Sequence, residues 1–484
     1  MMISSTHFPH VDITALKRLA LATVVELHPV PNLSRRTKGR KPVALNPKIS
    51  SCEDVIWAGE KMILIEFDPA SLPLLGVNAM LAHFPQGRPH LTTQALVKMT
   101  ASLRDKVNVP RVYAHCSILP NPIGADVVLL EKVPGECLED IWSTFTPAQE
   151  RQFLRKLAEI LLVLFYHRSP SELGSKKDVK TNPDPAASAI PEVLLSPPFD
   201  QGPMRAMHPQ SAVPNVTGYL QALAGRMERV FACDTAFLPP HNIQARMNSN
   251  PLNVPLSAAY KLGPLSQHDV DRIKVTWRRL ASLIPYYTGG FFIPGTLSAE
   301  AQRKAYSTLQ SPWFGILHSD MQMSRFIVDI HQGTGSSEPE MKVTLTGWEH
   351  AHLAPLWSCA RLPLFLYPSP FPSVDCDPLT FCPPHIRMSA RKQRAFRKYI
   401  LDLIFDHSCG IPAFESTPWE WIIAYSHGVP ERWFEGCISA HWGFRDAVEV
   451  SLERLKQHWE KARPDRPFPL PVGKDYPKYR MTIS

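Results

Sequence analysis

The sequence predicts an α+β fold of two lobes, a small one built around strands and a larger helical one. Three observations carry this. Branched and aromatic runs cluster in the first third, at Met62-Ile-Leu-Ile-Glu-Phe67, Ala79-Met-Leu-Ala-His-Phe84, Pro110-Arg-Val-Tyr-Ala-His115 and Asp126-Val-Val-Leu-Leu-Glu-Lys-Val133. Pro134-Gly135 breaks the last run, and helical periodicity follows. The chain has 484 residues, too many for one small core.

The elements follow in order. Asp12 or Thr14 can cap a short helix with Leu16, Leu19, Ala20, Val24 and Leu27 on one side. The basic run Arg35-Arg36-Thr-Lys-Gly-Arg40-Lys41 comes next, so residues 1–50 read as an N-terminal arm. That arm is similar to an organelle transit segment, although Asp12 and Glu26 are unwelcome in one. Residues 51–133 form the small lobe, with a helix opened by Thr92 or Thr93 that runs through Met99 and Leu103. Thr146-Pro-Ala-Gln149 is a helix start with a capping box. Leu154, Leu157, Ile160, Leu161 and Leu164 then recur at helical spacing. Residues 134–463 make up the helical lobe, with a Pro/Ser-rich insertion near 169–214. Further helices are expected over 215–233, 266–284, 395–404 and 444–462, and 464–484 is a Pro-rich tail.

Composition narrows the function classes. Hydrophobic residues are 44% and charged residues 20%, as in a soluble globular chain. A net charge of +8 over this length gives no argument for nucleic acid. No stretch is long and apolar enough to span a membrane. The nine cysteines are scattered without a C-x-x-C pair, which fits free thiols in a reducing compartment. Asp375, Cys376, Asp377, Cys382 and His385 lie close together, but their spacing matches no regular zinc pattern.

The stretch that carries chemistry is Ile316-Leu-His-Ser-Asp-Met-Gln-Met-Ser-Arg-Phe-Ile-Val-Asp329. A His-x-Asp before a strand can present a base for phosphoryl transfer. Such transfer needs that carboxylate, magnesium on oxygen ligands, and a cation with backbone amides on the phosphates. In order and context, Asn121-Pro-Ile-Gly-Ala-Asp-Val-Val-Leu-Leu-Glu-Lys-Val-Pro-Gly135, His318-Ser-Asp320 and Thr346-Gly-Trp-Glu349 resemble the aminoglycoside phosphotransferase family, which includes choline kinases. Gly347-Trp-Glu-His-Ala-His-Leu-Ala-Pro-Leu-Trp with Ala360-Arg-Leu-Pro-Leu-Phe365 resembles its fungal branch called altered inheritance of mitochondria protein nine.

The resemblance implies a protein-kinase-like fold and a mitochondrial location, the cytoplasm being the alternative; of the family's ATP and magnesium, ATP stays open and magnesium is not expected. It assigns Asp320 as catalytic base and His318 as its structural neighbour. Arg325 stands where the family has a metal-binding Asn, and Gly347 where it has the Asp that binds the principal magnesium. A guanidinium has no acceptor lone pair and glycine has no side chain, so both metal ligands are lost. Arg325 is expected to pair with Asp320, the alternative being direct contact with a phosphate. Glu349 is the remaining candidate for a cation. His83 takes the place of the third-strand basic residue, and Ala95 or Leu96 that of its Glu partner. Trp57-Ala-Gly59-Glu-Lys-Met62 offers one glycine where a phosphate loop has more, with Lys61 expected as a solvated loop residue. Glu131, Lys132 and Val133 either form a nucleotide-binding edge through their backbone or merely join the lobes. The expectation is a degenerate kinase-like protein that binds or scaffolds. An active phosphotransferase of small-molecule hydroxyls with a rearranged metal site is the alternative, and the substrate or protein partner is unknown.

Overall fold

The computed structural model describes, with short interruptions, residues 8–27, 46–116, 120–170, 215–232, 275–286, 298–331, 340–366, 388–406, 419–439 and 456–469. Two compact units emerge, one drawn mainly from residues 1–150 and 322–351, the other from most of the remainder.

The first unit is organised by an antiparallel sheet of five strands: β1 (Ile49–Trp57), β2 (Glu60–Phe67), β3 (Ala79–His83), β4 (Val112–Cys116) and β5 (Val127–Glu131). Their order across the sheet is β1-β2-β3-β5-β4. Alternation along each strand sorts the side chains onto two faces. Ile63, Ile65 and Phe67 of β2, Met80 and Ala82 of β3, and Val127 and Leu129 of β5 join one core. Glu60, Met62, His83 and Leu130 point the other way and line a cleft with Leu96 and Thr100, in a helical stretch over 96–103.

The first core is completed by α1 (Ile13–Leu27). Leu16, Ala20 and Val24 are fully buried there, with Phe8, Val11 and Ile13 beside them. Of the two possible caps, Asp12 is the one used, its carboxylate accepting from the amides of Thr14 at 2.8 Å and Ala15 at 3.0 Å. Within the expected N-terminal arm, the described helix is therefore part of the core, with three of its positions at no exposure. The basic run 35–41 lies outside the described residues.

A second, three-stranded sheet orders β10 (Glu340–Leu345), β9 (Phe326–His331) and β6 (Glu136–Cys137). Glu136 pairs with Val328 and Cys137 with Ile327, so this hydrogen-bonded ladder ties residues 322–351 to the first unit. The compact unit therefore runs past the lobe boundary expected after 133 and takes in a distant segment of the chain. Gly135 makes the approach possible at φ +106, where an added Cβ would lie 2.4 Å from the Val328 carbonyl oxygen.

The second unit is largely helical. Its α2 (Leu138–Ile141) precursor turn in the first unit leads to α3 (Pro147–Tyr166), which starts with the expected capping box. Gln149 accepts from the Thr146 amide at 2.8 Å, and its own amide donates to the Thr146 hydroxyl at 3.3 Å. Phe153, Leu154, Leu157, Ala158 and Phe165 are fully buried. A small sheet orders β11 (Ala351–Pro355), β8 (Trp313–His318) and β7 (Ser169–Pro170). Around it lie α4 (Val216–Ala232), α5 (Ala299–Leu309), α6 (Leu356–Cys359), α7 (Ala390–Phe405), α8 (Trp419–His427) and α9 (Val429–Ser439).

A buried carboxylate links three of these helices. Glu435 of α9 accepts from the Tyr219 hydroxyl of α4 at 2.5 Å and from the Ser358 hydroxyl of α6 at 2.7 Å, and it pairs with Arg361. Burial first, then the Glu435 charge, pushes the Tyr219 phenol well above its ordinary value, so it remains a donor. The expected helix over 444–462 is described only between 456 and 461, and most of that over 266–284 lies outside the described residues. Among the described residues no helix is long and apolar enough to cross a membrane.

Candidate functional site

The site is built around the turn that joins β1 to β2. Trp57 pairs directly with Glu60, leaving only Ala58 and Gly59 between the strands. Both have left-handed backbone, Ala58 at φ 52 and Gly59 at φ 76, as a type I′ hairpin requires. A two-residue turn has no spare length to wrap a phosphate, so the single-glycine signal resolves as a hairpin. Lys61, expected in a loop, is an exposed residue of β2. Glu60 is the first residue of β2, and sequence reasoning passed over it.

Facing this turn is Arg325, in a short 3-10 turn (Met323–Arg325) that leads into β9. Its backbone is fixed on both sides. The Arg325 amide donates to the Gln322 carbonyl at 3.0 Å, and its carbonyl accepts from the amide and the hydroxyl of Thr346, each at 2.9 Å. The side chain is buried, with Nη2 2.8 Å from Glu60 Oε1 and Nη1 donating to the Ala58 carbonyl at 2.8 Å. Arg325, expected opposite Asp320, is thus engaged by Glu60, while Asp320 and Ser319 lie outside the described residues.

Gly347 makes room for that side chain. It sits at φ +76, and a Cβ there would come 2.9 Å from Arg325 Cδ and 3.0 Å from Nε. The guanidinium stem therefore lies across the space that any side chain at 347 would enter. Trp348 closes the same end, fully buried, with its indole N–H donating to the Leu345 carbonyl at 2.7 Å.

His83 stands on β3 beside them, its Nδ1 3.1 Å from Glu60 Oε2. That approach is close but not aligned for a hydrogen bond. Burial is the largest influence on the imidazole and holds it below its ordinary range; the Glu60 charge opposes this and the Arg325 charge reinforces it. His83 is therefore neutral at physiological pH, as a poor phosphate clamp would be. In the unfolded chain it takes a proton near pH 6.5. Below that pH the unfolded state binds more protons, so stability falls as pH drops toward the depressed folded value. We expect His83→Gln to flatten the loss of stability between about pH 7.5 and about pH 5.5, read by urea unfolding at both. An unchanged pH dependence in the variant would refute this account of His83.

The helix position facing His83 carries Leu96, which is buried and lines the cleft, while Ala95 lies outside the described residues. Together these groups border a cleft of about 360 Å³, open solvent at its mouth included. Its described titratable lining is Glu60, His83 and Arg325.

The strand end expected for a nucleotide is bonded to Arg111 at Glu131. The Glu131 amide donates to the Arg111 carbonyl at 2.8 Å, and its carboxylate accepts from the Arg111 amide at 3.0 Å. Lys132 is exposed. Val133 is buried in an apolar cluster with Ala58 and Ile327, against which Trp57 and Cys137 pack. His318 is buried at the end of β8, in the second unit. Glu349 and the 375–385 cluster lie outside the described residues.

Magnesium with a nucleotide is the group that the sequence resemblance implies. Magnesium takes carboxylate, carbonyl or water oxygens. Position 325 offers a guanidinium and position 347 no side chain, and the first lies across the second. The residues at these two positions do not fit the ion. Among the described residues no three His, Cys, Asp or Glu side chains gather where a metal ion could be held.

No family model matches the chain. It is 28% identical over 153 residues to the subtelomeric hrmA-associated cluster protein of Aspergillus fumigatus, in strains CEA10 and Af293 alike. That stretch is 28% of this chain and 30% of those proteins, so it spans less than a third of the relatives' length. Among solved structures, the GDP complex of wild-type aminoglycoside 2'-phosphotransferase-IIIa matches at 14% identity, over 92% of this chain and 98% of that one, with a TM-score of 0.34. The choline kinase of Cryptosporidium parvum matches at 9% identity, over 91% and 95%, with a TM-score of 0.36. An aminoglycoside phosphotransferase of Alicyclobacillus acidocaldarius matches at 11% identity, over 89% and 98%, with a TM-score of 0.31. The strand-rich first unit and the largely helical second unit make the chain α+β.

Proposed function

We propose that this chain is a degenerate relative of the aminoglycoside phosphotransferases, a pseudokinase that acts by binding or scaffolding. The observation that carries this reading is the Arg325 guanidinium. It is fixed to Glu60 at 2.8 Å and lies over Gly347, where a metal-binding carboxylate would have to stand. A fixed positive charge beside a divalent cation is repulsive, and burial strengthens the repulsion. Neutral His83 and apolar Leu96 remove the phosphate clamp and its partner from the opposite wall. The finer kinship, with the fungal branch called altered inheritance of mitochondria protein nine, is part of the same proposal. So is a nucleotide held without metal against residues 131–133.

The second reading is an ATP-dependent phosphotransferase of small-molecule hydroxyls, and the retained Asp320 and Glu349 favour it. In that case Asp320 accepts the proton of the attacking hydroxyl. We expect purified protein to show no magnesium-dependent ATP turnover above that of the Asp320→Asn variant. Turnover that Asp320→Asn abolishes would establish the second reading and end the first.

A further inference from the structure

The contacts of Arg325 describe a receptor as well as a side chain. Among the contacts of the guanidinium are an anionic oxygen, Glu60 Oε1 at 2.8 Å, and a neutral oxygen, the Ala58 carbonyl at 2.8 Å. Its stem occupies the gap left by Gly347, so the site has a carboxylate, a carbonyl and a space of matching shape. Glu60 is largely shielded, at 18% side-chain exposure, and a shielded carboxylate without a counter-charge is costly. His83, 3.1 Å from Glu60 Oε2, is neutral, while Arg325 brings a fixed positive charge to Glu60 Oε1.

The same contacts hold the hairpin. Ala58 is one of the two left-handed residues of the β1–β2 turn, and Gly59 lies against Ser324, where a Cβ would come within 3.2 Å of its Cβ and Oγ. The turn thus rests on residues 324–325 and is bonded there through Ala58.

We infer that Glu60, the Ala58 carbonyl and the space over Gly347 form a cation-binding site that takes a planar guanidinium, and that Arg325 is its resident cation, latching the β1–β2 turn shut. This deepens the non-catalytic reading by saying what holds the cleft in place of a metal. It does not depend on the absence of ATP turnover, so the two can fail separately.

The prediction follows from emptying the site. In the full chain, Arg325→Ala removes the cation and leaves its receptor. The variant is expected to melt below wild type and to recover at least half of the loss in low-millimolar methylguanidinium, relative to sodium chloride at equal ionic strength. Wild type and the Arg325→Ala/Glu60→Gln double variant are expected to show no such gain. A folded Arg325→Ala protein that methylguanidinium does not stabilise overturns the inference. So does a magnesium effect equal to or larger than that of methylguanidinium, which would make the place a metal site. If Arg325→Ala does not fold, Arg325→Lys decides, because an ammonium cannot reproduce the planar two-oxygen contact. Amide exchange at Ala58 and Gly59 is then expected to rise about tenfold, and unchanged exchange overturns the latch.

Discussion

Removing residues 1–27 is expected to leave the protein unable to fold. The helix α1 and the residues before it look dispensable by position, yet they supply one side of the core under the five-stranded sheet. Phe8, Val11, Ile13, Leu16 and Val24 are all buried, against Ile63, Ile65, Phe67, Met80 and Val127 among others. At about 1.5–3 kcal/mol for each buried side chain, the loss is on the order of 10 kcal/mol. Whole domains are stable by only about 5–15 kcal/mol. The truncated chain is expected to be insoluble or to lack a cooperative thermal transition. The graded version is Leu16→Ala, a fully buried position, with an expected cost of about 2–5 kcal/mol by urea denaturation. A truncated protein that melts with the full-length one would show that the helix is a detachable leader after all. The same packing bears on the transit-like reading of residues 1–50, since cleavage anywhere after Leu27 would strip the sheet of its cover.

The second large effect is expected at Gly135. An alanine Cβ there would lie 2.4 Å from the Val328 carbonyl oxygen, 2.7 Å from its carbon and 2.9 Å from the Asp329 nitrogen, all backbone atoms. Relief by a backbone shift is blocked because the next two residues pair with Val328 and Ile327 of β9. The residue also sits at φ +106, which L side chains rarely adopt. We expect Gly135→Ala to cost about 3 kcal/mol or more, through strain and a lost strand pairing. The measurement is the urea midpoint, with Lys132→Ala, at an exposed residue nearby, as control. A midpoint equal to that of the control would mean that the β6–β9 contact yields easily.

What the sequence disclosed was mostly local. The four strands of the early runs, the Thr146–Gln149 capping box and the α1 apolar stripe are short-range patterns, and each was readable within one element. The choice of Asp12 over Thr14 as cap was not, because it depends on the Asp12 amide reaching the Ile123 carbonyl at 2.9 Å. The oddity of Arg325 and Gly347 was legible through their neighbours in order. That one makes room for the other was hidden, since it depends on a left-handed glycine 22 positions further on meeting a long side chain. Glu60 was invisible as a site residue. A carboxylate next to a glycine reads as an ordinary turn, and only the direct pairing of Trp57 with Glu60 aims it at the cleft. Glu435 is a similar case, being joined to Tyr219 across 216 positions and to Ser358 across 77.

The β6–β9 pairing has a consequence for how the molecule is made. Its two strands are separated by some 190 residues, and the first unit includes residues 322–351. A ribosome that has released the whole N-terminal sheet has still not released the strands that complete its unit. That sheet must wait while residues 132–345 are made, a little under half of the 484, with the cleft side unfinished, which is when unpaired strand edges associate wrongly. Both units are drawn from more than one stretch of chain, so no single cut yields either of them whole. A fragment ending near residue 150 would lack β9 and β10, and a chaperone that holds the early sheet until residue 345 emerges would act on the step at which this chain is most exposed to misassembly.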